Sequence, residues 1–223
     1  MATVISQLLP KDKIRVIAAK LFSMPFADGN MSSGILGNDI KKNKQIPPNS
    51  AEYREISELV MTAMRENEVF NTAAIPRRIL SPIFNAYGQG DQYGKHIDAA
   101  MMGSYPGMRT DLSITIFLND PSAYEGGELT LESPFGEHEY KLDPGDAILY
   151  PTQYVHQVKP VTRGRRLAAV TWIESMVPDY QKREILSELA DATAALIEDT
   201  KNYDVVRKIE KGRLNLLRMW AKT

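Results

Sequence analysis

The sequence predicts an α+β protein: a core of short strands, folded as a double-sheet jelly roll or closed barrel, with helices before and after it. Three observations carry that reading. Between residues 79 and 173 run eight short, strand-like segments separated by turn signals. Helical periodicity is confined to the two ends of the chain. No long helix alternates with the strands, which argues against a parallel α/β sheet. A chain of 223 residues suits one large domain, or one domain with a small appendage, and can bury a substantial core unaided.

Taken in order, residues 11–22 read as a helix because Ile14, Ile17, Ala18 and Leu21 fall on one stripe. Pro25 to Ser50 reads as a long loop carrying Gly29, Gly34, Gly37, Pro47 and Pro48. Connections of that length are uncommon and are usually functional or disordered. Its centre, Lys41-Lys42-Asn43-Lys44, reads as a solvated turn. Residues 51–68 form a second helix through Ile56, Leu59, Val60 and Ala63, so that 1–78 is an N-terminal helical region packed on the core.

The core, 79–177, is expected to hold strands at 79–87, 92–97, 110–119, 127–132, 138–142, 146–150, 154–159 and 165–173. Gly88 and Gly90, Asn119-Asp120-Pro121, Gly126-Gly127, Asp143-Pro144-Gly145-Asp146 and Thr162-Arg163-Gly164 punctuate them. After Pro178 helical spacing returns in Ile185, Leu189 and Leu196, then in Val206, Ile209, Leu216, Leu217 and Trp220. The segment 178–223 reads as a helical hairpin on the barrel, with a contact surface for a homo-oligomer as the competing reading.

Composition narrows the function. Hydrophobic residues at 43% and charged ones at 25% exclude the disordered and fibrous classes. Lys and Arg total 27 against 28 Asp and Glu, so no global cationic field exists to hold nucleic acid or an anionic membrane. The N-terminal stretch lacks the basic and apolar pattern of a signal peptide, and apolar runs are short, so a cytoplasmic location is expected. With no Cys, thiol nucleophiles, Fe–S clusters and Cys-type zinc sites are out of reach. Any imidazole site must draw on His96, His138 and His156.

His96-Ile97-Asp98 places an imidazole and a carboxylate at positions i and i+2, which share one side of an extended segment. His156 lies on a late strand, and early and late strands of a jelly roll can face each other across its mouth. His138, flanked by Glu137 and Glu139, reads as solvated. Two His and one carboxylate on one face of an ion leave three adjacent positions open, the arrangement of non-haem Fe(II) oxygenases. A 2-oxo acid can chelate two of them, with O2 in the third. The distal carboxylate of 2-oxoglutarate then calls for a guanidinium. Arg166 fits that role, although strand parity alone does not separate it from Arg165.

The order His-x-Asp, His, Arg is where a resemblance becomes specific. Tyr87-Gly-x-Gly-x-x-Tyr-x-x-His96-x-Asp98, Leu118-Asn119, Glu125-Gly126-Gly127-Glu128-Leu129, Pro144-Gly145-Asp146-Ala147, His156-x-Val158 and Gly164-x-Arg166 resemble the Fe(II)/2-oxoglutarate dioxygenases of the prolyl 4-hydroxylase type. More closely, the chain resembles the bacterial PKHD-type hydroxylases associated with iron uptake, over nearly its whole length. The resemblance implies a double-stranded β-helix (jelly-roll) core, with His96, Asp98 and His156 as iron ligands and Arg166 as the 2-oxoglutarate anchor. It also implies O2 as co-reactant, L-ascorbate as the reductant and a small-molecule or peptidyl substrate. Where some animal relatives place a Tyr hydroxyl towards the cosubstrate, this chain has Ile116, and Tyr87 is chosen as the second contact. The competing readings are a non-catalytic Fe(II) or 2-oxoglutarate sensor, an iron-chelate-binding module, and a zinc hydrolase on the same ligands.

Overall fold

In the computed structural model, which describes residues 2–29, 40–199 and 203–222, strands and helices succeed one another as follows. The N-terminal part contains β1 (Thr3–Ile5), α1 (Lys11–Ser23), β2 (Ala27–Asp28), β3 (Lys41–Lys42), β4 (Lys44–Gln45), α2 (Ala51–Glu66) and α3 (Glu68–Ala74). Then come β5 (Pro76–Ile79), β6 (Ile83–Tyr87), β7 (Gln92–His96), β8 (Met101–Met102), β9 (Met108–Arg109) and β10 (Leu112–Phe117). The chain continues through β11 (Tyr124–Gly126), β12 (Leu129–Ser133), β13 (Gly136–Tyr140), β14 (Ala147–Pro151), β15 (His156–Val158), β16 (Val161–Gly164) and β17 (Arg166–Ser175). Two helices follow, α4 (Tyr180–Asp199) and α5 (Tyr203–Trp220).

The strands pair antiparallel in two main sheets. The larger runs β1-β14-β10-β17-β6-β4-β2, with β5 also on β17; the smaller runs β13-β12-β15-β7-β3. Strand alternation divides the interior in two. One set of side chains, including Leu112, Ile114, Ile116, Ala169 and Ile173, packs with Ile17 and Leu21 of α1, Ile56, Val60 and Met64 of α2, and Phe70 of α3. The opposite set, including Phe117, Ile148 and Tyr150, packs with Leu129, Leu131 and Val158 of the smaller sheet. The N-terminal helices therefore cover one face of the larger sheet, and the other face looks at the smaller sheet. Helix α4 packs on both α3 and α5.

The local chemistry explains where elements start and stop. Ser50 caps α2 by accepting from Tyr53 N–H at 3.0 Å. Asn67 ends that helix and caps α3, accepting from Phe70 N–H at 2.8 Å, so the single helix expected over 51–68 is followed by a second short one. Residues 79–87 are two strands rather than one, interrupted at Leu80-Ser81-Pro82, where Pro82 has no N–H for a ladder.

Part of the expected long loop is ordered differently. Its centre is not a solvated turn: Lys41 pairs with Tyr93, Lys44 pairs with both Asp28 and Ala86, and Lys41 and Asn43 are buried. Residues 30–39 of that loop lie outside the described residues. The turn at Asp143–Asp146 also does more than reverse the chain. Gly145 C=O accepts from Leu9 N–H at 3.0 Å and Asp146 Oδ1 from Gln7 N–H at 2.7 Å, docking the N-terminal segment beside β1. Among the described residues, no helix is long and apolar enough to cross a membrane.

Candidate metal centre

The smaller sheet sets β7 beside β15, with His96 and His156 as register partners. Antiparallel partners project to the same face of a sheet, so two imidazoles far apart in sequence meet there. Their ring centroids lie 4.2 Å apart. Two residues on, Asp98 returns to the same side while Ile97 between them is exposed. Asp98 Oδ1 stands 3.7 Å from His156 Nε2, and each of the three residues offers a donor atom within 4.8 Å of the others. Two imidazoles and a carboxylate suit a divalent transition metal.

The imidazoles are held in the tautomer a metal needs. His96 Nδ1 lies 2.8 Å from Gly94 C=O and His156 Nδ1 lies 3.0 Å from Tyr154 C=O. A carbonyl only accepts, so each Nδ1 carries the proton and each Nε2 keeps its lone pair for a ligand. Tyr93 stacks on His96 at 3.6 Å and Tyr150 meets His156 edge-on at 5.3 Å. Burial, then the neighbouring His156 and Lys41, push the His96 pKa down to about 3, so the ring is neutral at ordinary pH. Asp98 Oδ2 is buried with no hydrogen-bond partner, a costly arrangement unless something else occupies it.

All three side chains line a cavity of about 880 Å³ between the sheets. Arg166 lines it too and is only 1% exposed, yet its Nε and Nη2 have no hydrogen-bond partner. Its guanidinium sits 5.4 Å from the ring centroids of both Tyr87 and Phe117. A buried, oriented guanidinium with donors to spare fits a carboxylate. Tyr87, the register partner of Arg166, is buried on the same wall, and burial raises its hydroxyl pKa, keeping it a neutral donor. Arg165, by contrast, is exposed, does not line the cavity and lies over the Phe26 ring at 4.4 Å.

Three features were not foreseen. Lys41 lines the cavity, 5.0 Å above the Tyr93 ring, with its pKa lowered to about 8 mainly by burial. Gly127 has φ +68°, and a Cβ there would stand 3.0 Å from Val161 and 3.1 Å from Arg166 Cδ, so the second glycine of the Gly-Gly pair leaves room for the arginine's stem. The register also shifts between Glu125 and Gly126, so the pair is a bulge as well, the plainer reading that two adjacent glycines in a strand already carry in the sequence. The residue of β10 beside Arg166 is Phe117; Ile116 faces the helices. His138 is exposed on the edge strand β13, as expected. Of the methionines after Asp98, Met108 is core, Met102 lines the cavity and Met101 is on the surface.

The family model described as the 2OG-Fe(II) oxygenase superfamily matches residues 82–174. A PKHD-type hydroxylase of Saccharophagus degradans is 38% identical over 98% of both chains. Another, of Herminiimonas arsenicoxydans, is 40% identical over 97% of this chain and 98% of its own. Among solved structures, a Trichoplax adhaerens prolyl hydroxylase in complex with a hypoxia inducible factor peptide fragment is similar in fold. Its TM-score is 0.58 at 17% identity, over 83% of this chain and 86% of that one.

Proposed function

This chain belongs to the PKHD-type hydroxylases of the 2OG-Fe(II) oxygenase superfamily, and we propose that it hydroxylates an unactivated C–H bond of a substrate held between its two sheets. It is an Fe(II)- and 2-oxoglutarate-dependent dioxygenase. In the proposed arrangement His96, Asp98 and His156 hold the iron, Arg166 takes the distal carboxylate of 2-oxoglutarate, and Tyr87 is the second contact. The observation that carries it is a single cavity lined by all three metal-ligand side chains and by a buried arginine with unpartnered donors.

Iron bound there supplies O2 activation coupled to oxidation of 2-oxoglutarate to succinate and CO2, with one oxygen atom passing to the substrate carbon. The chain's own residues do the positioning. Gly94 and Tyr154 carbonyls fix the imidazoles through Nδ1, and Tyr93 covers one face of His96. Ile83, Val155, Val170 and Trp172 give the cavity apolar walls that keep bulk water from the reacting centre. Asp98 is the one carboxylate lining the cavity among the described residues, and His96 and His156 are its only imidazoles, which leaves a zinc hydrolase without a further Glu or His as general base.

The two sheets are read as a double-stranded β-helix over 79–177, with 1–78 and the C-terminal helices packed against it, the latter as the surface for any homo-oligomer. A cavity of this volume suits a drug-sized molecule or a side chain with its neighbouring peptide units. The peptide held by the Trichoplax adhaerens relative supports the peptidyl alternative. The test incubates Fe(II)-loaded protein with 2-oxoglutarate, ascorbate, air and panels of peptides and small metabolites. Succinate release that needs both Fe(II) and 2-oxoglutarate, with a product heavier by one oxygen atom, is expected. Consumption of 2-oxoglutarate with Zn(II) in place of Fe(II), or none with any panel, contradicts the proposal.

A further inference from the structure

Arg166 is the first residue of β17 and follows the Gly164-Arg165 turn, where a strand is least well held. The neighbouring strand β10 pairs with β17 as far as Phe117 opposite Ala168, and Leu118 N–H still donates to Leu167 C=O at 3.1 Å. Beyond that point the backbone of β10 departs into the turn at Asp120. The Asn119 side chain continues the ladder in its place. Its Oδ1 accepts from Leu167 N–H at 2.8 Å, and its Nδ2 donates to Arg165 C=O at 2.8 Å. The two bonds grip the main chain on either side of Arg166.

We propose that Asn119 is a positioning residue for cosubstrate binding: by bracketing Arg166 it fixes where the guanidinium meets the distal carboxylate of 2-oxoglutarate. The inference rests on the assignment of Arg166 as the anchor. Gly127, Tyr87 and Phe117 fix the arginine side chain from its stem outwards. The Asn119 carboxamide instead holds the main chain from which that side chain springs. Paired guanidinium–carboxylate hydrogen bonds are sensitive to direction, and a long side chain carries a small backbone displacement out to its tip. Asn119 does not line the cavity, so it acts through Arg166.

The experiment is anaerobic calorimetric titration of 2-oxoglutarate into the full chain loaded with Mn(II), with Mn(II) affinity measured separately. Asn119→Ala is expected to raise the 2-oxoglutarate Kd about tenfold while Mn(II) affinity stays within about twofold of the parent. Asn119→Asp keeps the acceptor for Leu167 N–H but loses the donor to Arg165 C=O, and should fall between the two. Asp120→Ala removes the carboxylate that accepts from Ser122 N–H in the same turn, and should bind 2-oxoglutarate like the parent. Unchanged 2-oxoglutarate affinity in both Asn119 variants overturns the inference, as does an equal loss in Asp120→Ala. Arg166→Ala separates the two levels. If it leaves 2-oxoglutarate binding intact, the anchor assignment fails; if it weakens binding and the Asn119 variants do not, only the present inference fails.

Discussion

His96 and His156 face each other across neighbouring strands, each with Nδ1 turned to the carbonyl two residues upstream, and His156 Nε2 stands 3.7 Å from Asp98 Oδ1. In the proposed arrangement, removing either ring removes an iron ligand that the sheet register places. His156→Ala should weaken divalent metal binding by more than about a hundredfold, beyond the usual cost of losing an outer-shell partner. Equilibrium dialysis against Mn(II) measures this, and parent-like affinity in the variant would rule His156 out as a ligand.

Arg166→Lys keeps the charge and discards the fork. The ammonium cannot reproduce paired donors, so the KM for 2-oxoglutarate should rise about ten- to a hundredfold with metal affinity unchanged. Steady-state succinate assays read the first quantity and dialysis the second. An unaltered KM would show that the fork is not what the cosubstrate meets.

Gly127→Ala brings a Cβ against Val161 and the Arg166 stem at a backbone angle that side chains rarely adopt. A loss of about 1–3 kcal/mol in stability is expected, together with weaker 2-oxoglutarate binding. Chemical denaturation and calorimetry follow the two effects, and a variant as stable as the parent would refute the crowding argument.

The metal-free protein should be acid-sensitive through His96. Its folded pKa, about 3, lies below the unfolded value near 6.5, so the unfolded state binds more protons between those limits. This contribution is complete above about pH 6.5 and is lost as pH falls towards about 3, by at most about 1.4 kcal/mol per pH unit. Denaturation midpoints of the metal-free parent and of His96→Gln across this range test the point. Parallel pH profiles would show that the ring is not held neutral by burial.

Most of the side chains that the structure gathers around the cavity could be read before the fold was known, for identifiable reasons. His96 and Asp98 announce themselves by spacing, since alternation puts both on one side. Arg166 needed the phase of β17, which its pairing with β6 and β10 shows. Lys41 was misread because a run of lysines in a Gly- and Pro-rich stretch looks solvated, whereas its burial follows from a non-local pairing with Tyr93. Asn119 was visible as part of a motif, but its bonds to Arg165 and Leu167 join residues far apart in sequence. Strands of two or three residues, such as β1 and β4, are too short to show a period. Asn67 is an ordinary polar residue within a helical pattern until the chain breaks there.

The central claim is that three side chains hold one Fe(II) while 2-oxoglutarate completes its binding through Arg166. Anaerobic addition of Fe(II) and then 2-oxoglutarate, followed by visible charge-transfer absorption, tests it most directly. One Fe(II) per chain should bind, and the band should appear with 2-oxoglutarate in the parent, vanish in Asp98→Ala, and require more 2-oxoglutarate in Arg166→Ala. A band of full intensity in Asp98→Ala, or none in the iron-loaded parent, would contradict the account.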